Sequence, residues 1–218
     1  MRTEKRLEKR NTKQMILEAA LTLFSEKGYE AVSVAQIAQE VGVKAPALYK
    51  HYKNKQDIFD AIIAEMGRRY EKQAALLEVD GSQAILDAGK YADMGEEQLI
   101  WAGRSLLHYY LTDEFARRCR RMLTIERYRS GELSALFEEQ YVNGPLDYQS
   151  VIFEICAKNG VLKAEDPRIM AMHFYGPIFL LLTAYDGHPE QEPQAMELLE
   201  RHIRQFNRLY RIAENEVL

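Results

Sequence analysis

Apolar residues recur along this chain at spacings of three and four, the period of one helical face. From about Lys5 to Lys27, the residues Ile16, Ala19, Ala20, Leu23 and Phe24 form such a stripe. Gly28 ends it, because glycine accepts the left-handed conformation that closes a helix. A second helix is predicted from about Val34 to Glu40, with Val34, Ile37, Ala38 and Val41 on one face. Ser33 and Gln36, three residues apart, have the spacing of a capping box at its start. Gly42 breaks the chain, and a short helix follows over about Ala45 to His51. Pro46 sits in its first turn, where a missing N–H costs nothing. Asn54 caps a fourth helix, and Asp57 complements the positive end of its dipole. That helix carries Ile58, Phe59, Ile62, Ile63 and Met66 and continues toward Leu77. Beyond Asp80-Gly81-Ser82, further helices are predicted over about 83–92, 96–111, 113–129, 132–143, 146–159, 167–185 and 192–213. Gly131, Gly144-Pro145, Gly160 and the segment from Gly187 to Pro189 punctuate them. No stretch alternates with period two, so no strands are expected and the chain reads as all-α.

Composition changes this picture in one respect. The 218 residues are 47% hydrophobic and 28% charged, ordinary for a globular protein able to bury a core. The net charge of −4 argues by itself against nucleic acid, but it hides an asymmetry. Residues 1–55 hold 11 Lys/Arg and 6 Asp/Glu, while the remainder hold 18 and 27. A basic end on an acidic body fits a nucleic-acid partner, and it fits a solvated charged terminus equally well. Cys119 and Cys156 lack any paired spacing and read as buried thiols. The charged first residues lack a signal peptide's apolar run, and no apolar run is long enough to span a bilayer, so a soluble, cytoplasmic protein without a membrane role is expected.

The segment from Ser33 to Tyr52, SVAQIAQEVGVKAPALYKHY, carries the functional signal. It is two short helices joined by a tight turn. Val34, Ile37, Ala38 and Val41 face inward from the first, and Leu48 and Tyr52 from the second. Lys44, Ala45, Ala47, Tyr49, Lys50 and His51 are left outside. Small side chains permit close approach to a major groove, and lysine and tyrosine tips can bind phosphates. The spacing alone also fits an ordinary helical hairpin with a wet face.

The longer stretch from Thr12 to Ile63 resembles the DNA-binding domain of the TetR (tetracycline-repressor-like) family. Phe24 to Gly28 with Tyr29, Ser33-Val34, Ile37-Ala38, Val41-Gly42-Val43, Leu48-Tyr49, Tyr52 and Asn54-Lys55 carry the resemblance. Ala45-Pro46 departs from it, since many members have glycine or another small residue there. The resemblance implies that Ala45, Ala47, Tyr49 and Lys50 face bases or phosphates. It implies that Lys44 and His51 flank them on phosphates, and that Tyr29, Ser33 and Gln36 lie near the DNA backbone. It also implies that Lys55 touches phosphate at a helix N-terminus. The expected organisation is an N-terminal three-helix helix-turn-helix DNA-binding domain, residues 1–55, and a C-terminal helical ligand-binding and dimerisation domain, residues 56–218. The expected function is a repressor released from a palindromic operator by a small-molecule effector. An activator, or a regulator controlled by a protein partner, is the alternative.

Two further features bear on that expectation. In the last helix Met196, Leu199, Ile203, Phe206 and Tyr210 recur at three and four, as in a coiled-coil seam. The preceding helix, with Phe179 and Leu182, is apolar on nearly every side, so these residues are expected at a homodimer interface. The middle helices are rich in polar-tipped rings. Trp101, Arg104, His108, Phe115, Tyr128, Tyr141, Tyr148, Phe153 and His173 are the candidate effector contacts. No glycine-rich phosphate loop, HExxH or GxSxG occurs, and the five histidines lack metal-ligand spacing, so no enzyme, cofactor or metal is expected.

Overall fold

Eleven α-helices, a π-helical turn Glu139–Asn143 and a 3-10 turn Pro189–Gln191 make up the helical structure of the computed structural model, which describes residues 2–212 with side chains from Thr12 onward. The α-helices are α1 Arg2–Lys27, α2 Val34–Val41, α3 Ala45–Leu48, α4 Lys55–Leu76, α5 Ala84–Asp93 and α6 Glu96–Thr112. There follow α7 Glu114–Glu126, α8 Gly131–Glu138, α9 Gly144–Lys158, α10 Pro167–Ala184 and α11 Glu192–Tyr210. Among the described residues the only β-type pairing is a lone bridge between Leu162 and Arg211. The predicted end of the last helix at Ala213 lies outside the described residues.

The chain forms two compact units. The first takes the residues through Arg69 together with Glu114–Phe137, and the second takes Tyr70–Asp113 with the residues from Glu138 onward. The head therefore packs as more than its own sequence segment, because α7 supplies Phe115, Ala116, Cys119, Met122 and Leu123 to the core formed by Ile16, Leu21, Phe24, Ile37, Leu48, Ile58 and Ile62. Such remote contributions leave no trace in local periodicity.

In the second unit α11 packs on α6 and α10. Met196, Leu199, Ile203 and Phe206 are buried within the protomer, with Leu199 at 0% exposure, and so is Leu182. These residues face the protomer's own core, since a three-four stripe serves an internal core as readily as a coiled coil. Gly103 of α6 permits the close approach, since a Cβ there would lie 2.9 Å from Cδ1 of Ile203. Phe153, Phe174 and Phe206 complete this core as a ring cluster, with centroids 5.0–5.6 Å apart.

Gly144-Pro145 was expected to break the chain, yet the backbone stays helical through both residues. Residues Glu139–Asn143 form a π-helical turn closed by the Gly144 N–H on the Glu139 carbonyl. A Cβ on Gly144 would lie 2.1 Å from that oxygen, so only glycine fits. Pro145 has no N–H for the Tyr141 carbonyl, and the Tyr175 hydroxyl donates to it instead at 2.9 Å.

His202 of α11 faces α10, its Nε2 donating to the Phe174 carbonyl at 2.8 Å. Burial holds its pKa below the ordinary 6.5, against a smaller opposing effect of that hydrogen bond. The unfolded chain thus takes up the proton first, and its contribution to stability is complete above about pH 6.5. Stability is expected to fall as pH drops from there through the lowered folded value. Urea midpoints at about pH 7.5 and about pH 5.5 check this. His202→Gln should reduce the difference between them.

Candidate DNA-binding surface

The helix-turn-helix is assembled from local devices. Ser33 caps α2 in extended conformation, its hydroxyl accepting from the Gln36 N–H, while Gln36 Oε1 accepts from the Ser33 N–H at 2.8 Å. Gly42 closes α2 at φ 75°, in the left-handed region, and aims the chain into α3. Only Ala45–Leu48 is α-helical. The turn then tightens, with Lys50 and His51 donating to the carbonyls of Ala47 and Leu48, three residues back. Leu48 is fully buried and Tyr52 nearly so, its hydroxyl pushed up to about 12 by burial.

That anchoring presents the other face. Lys44, Pro46, Tyr49 and Lys50 are exposed, with Tyr49 at 52%, while Ala45, Ala47 and His51 are half-buried between them. Four of the predicted contacts, Tyr29, Ser33, Gln36 and Lys55, lie outside the stretch from Lys44 to His51. Ser33 and Gln36 are exposed at the start of α2, with the Gln36 oxygen engaged in the cap. Asn54 caps the start of α4 through the Asp57 N–H, at 2.7 Å. Lys55, the first residue of α4, turns its ammonium onto the Tyr29 carbonyl at 2.9 Å and over the Tyr29 ring at 4.1 Å. Two donor protons of the ammonium remain for other acceptors. Tyr29 is wedged edge-on between Phe24 and Phe59, and its hydroxyl donates to Gln56 at 2.9 Å.

Residues 16–62 match the profile of the family described as bacterial regulatory proteins, tetR family. The helix-turn-helix region of the chain is thus similar to that of the tetR family. The biofilm-operon negative regulator IcaR of Staphylococcus epidermidis is 45% identical over 47 residues, 22% of this chain and 25% of that protein. The sequence match thus spans about a quarter of that relative's length. The fold likeness extends further. SmeT, the repressor of a Stenotrophomonas maltophilia multidrug efflux pump, superposes with a TM-score of 0.61 at 20% identity, covering 94% of this chain and 93% of SmeT. AibR, solved with isovaleryl coenzyme A and operator DNA, gives 0.60 at 21% identity, covering 87% of this chain and 96% of AibR.

The candidate effector contacts do not converge. Phe115 and Tyr128 lie in the head unit, the first buried under the Arg69 guanidinium at 4.1 Å and the second 81% exposed. Trp101 is exposed beside an open depression of about 200 Å³ lined by Leu76, Leu77, Glu78, Met94 and Gln98. Arg104 pairs with Glu200 at 3.1 Å and His108 with Glu192 at 2.5 Å, tying α6 to α11. His173 bonds the Tyr210 hydroxyl, and Phe153 is core. Tyr141 and Tyr148 do belong to one group, a set of phenols with Tyr70, Tyr110 and Tyr175. Burial raises Tyr110 well above its usual value, reinforced by Tyr141, Tyr70 and Tyr175. Tyr148 is raised by burial and by its 2.7 Å bond to buried Asp87. Sequence reading left Tyr70 and Asp87 out, because they sit on α4 and α5 at positions that look like ordinary surface and first-turn residues.

Proposed function

We propose that this protein is a homodimeric, effector-released repressor that binds palindromic operator DNA, with residues 1–55 as the DNA-binding domain and the later helices as effector and dimer domain. The observation that carries the reading is the surface from Lys44 to His51: small and basic side chains held outward on a turn whose Leu48 and Tyr52 are anchored in the core. Ala45, Ala47, Tyr49 and Lys50 read bases and phosphates, while Lys44, His51, Ser33, Gln36, Tyr29 and Lys55 set register on the backbone. AibR was solved with operator DNA, in the same fold.

The dimer face proposed here is the outward side of α10 and α11. Ile169, Met172, Gly176 and Leu180 share one exposed stripe at spacings of three, four and four, half-buried Phe179 borders it, and Leu198 and Leu209 are exposed on α11. A second copy would cover this stripe in a four-helix arrangement. The effector site proposed is the phenol group around Tyr110, Tyr141 and Tyr148, whose aromatic rings suit a small aromatic compound. Its occupation would shift α4, the helix that passes from one unit into the other.

In vitro selection from a random duplex library, followed by anisotropy against salt, tests the reading. A palindrome with half-sites about 34–36 Å apart, or more, is expected. Affinity should fall with log salt at a slope near −0.9 per phosphate contacted. Absence of any preferred duplex at moderate salt would overturn it.

A further inference from the structure

We infer that Glu126 is a positioning residue for operator binding, through which α7 sets the turn that carries Tyr29 and, by way of Tyr29, Lys55. The inference rests on the DNA-binding reading above and concerns contacts within the unit that holds both α7 and the helix-turn-helix.

Glu126 is fully buried. A carboxylate in that position is expensive unless it is engaged. Its Oε1 accepts the Tyr29 N–H at 2.9 Å, across 97 residues of sequence, and Arg129 at 3.3 Å. Its Oε2 has no hydrogen-bond partner among the described residues. The engagement is therefore on one oxygen, shared between the backbone N–H of Tyr29 and the Arg129 guanidinium. Tyr29 in turn meets both α1 and α4. Its ring packs on Phe24 of α1 and Phe59 of α4, its hydroxyl reaches Gln56, and its carbonyl receives Lys55 at 2.9 Å.

The approach of α7 to this turn leaves no slack. Gly28 stands at φ +87°, and a Cβ on it would lie 2.4 Å from Glu126 Oε1 and 2.2 Å from Arg129 Nη1. Moving α7 away withdraws the acceptor and leaves the Tyr29 N–H without its partner, a state that buried amides avoid. The turn then relaxes and Lys55 loses the carbonyl that holds it at the start of α4. Any event that displaces α7 is thereby felt at the surface that grips phosphate.

The test uses the full chain and an operator duplex obtained by selection. Glu126→Ala is expected to weaken binding about tenfold, a change of roughly 1.4 kcal/mol. Amide exchange at Tyr29 should accelerate, and Glu126→Gln, which keeps an oxygen acceptor, should restore most of the affinity. Because Glu126 acts through Lys55, E126A and K55A should be non-additive in a double-mutant cycle. Unchanged operator affinity in E126A, or effects that simply add to those of K55A, would overturn the proposal. Should E126A not fold, Glu126→Asp retracts the acceptor by one methylene and keeps the charge. Reduced affinity at a near-native melting temperature then supports the proposal, and native affinity defeats it. A wild-type chain that selects no duplex sinks the DNA-binding reading together with this one. Wild-type binding with unaffected variants sinks this one alone.

Discussion

Replacing Leu180 by aspartate is expected to leave the protomer folded, convert the dimer into monomers and weaken operator binding by about 10²–10⁴-fold. Leu180 is 65% exposed on α10, so within the protomer the change alters little that is buried. Surface substitutions of this kind typically stay within about 0.5 kcal/mol of neutral. In the proposed dimer the same position lies in an apolar stripe, where an unpaired carboxylate must be desolvated. The operator loss follows from geometry. Two heads on one body bind two half-sites with the second event intramolecular, and a monomer forfeits that advantage. Gly176→Arg is an independent check, because a Cβ at Gly176 meets nothing within 4 Å and the larger side chain has room in the isolated protomer. Analytical ultracentrifugation reads the oligomeric state directly. A monomeric wild-type protein, or an L180D dimer of native affinity, would remove α10 from the interface.

The second large effect is expected at α3. Tyr49→Ala combined with Lys50→Ala should reduce operator affinity by at least about a hundredfold, since good base-reading contacts contribute roughly 1–3 kcal/mol each. The salt slope should flatten by about 0.9 for each phosphate contact removed. Both side chains are exposed, with Tyr49 at 52%, while Leu48 beside them carries the packing. The melting temperature should therefore stay near its native value. If affinity falls while the salt slope holds, the two residues read bases and not phosphates. If neither changes, the α3 surface is not the DNA contact.

These two predictions draw on different kinds of legibility. The α3 surface was readable because its determinants are local. Ser33 and Gln36 form their cap within three residues, Gly42 supplies its turn by its own backbone freedom, and Leu48 and Tyr52 fall on the inner face by helical period. The stripe in α11 was equally visible, but its partner was not. Met196, Leu199, Ile203 and Phe206 are apolar at the right spacing for a neighbour in another chain or in this one. Nothing in a periodic pattern says which. Gly103 adds to the close fit, since a Cβ there would lie 2.9 Å from Ile203 Cδ1. The candidate effector residues scattered for a related reason: ring chemistry can be counted along a sequence, but convergence cannot.

The sequence by itself determined most of the helices, their caps, and the outward face of the turn from Lys44 to His51, because each depends on residues a few positions apart. Only the tertiary structure decided that α7 completes the head, that the α11 seam faces inward while Leu180 and its neighbours face out, and that Glu126 lies against Tyr29 from 97 residues away. The physical reason is range. Backbone hydrogen bonds and helical periodicity act within a turn or two, whereas burial of a side chain depends on whichever distant surface the folded chain brings to meet it.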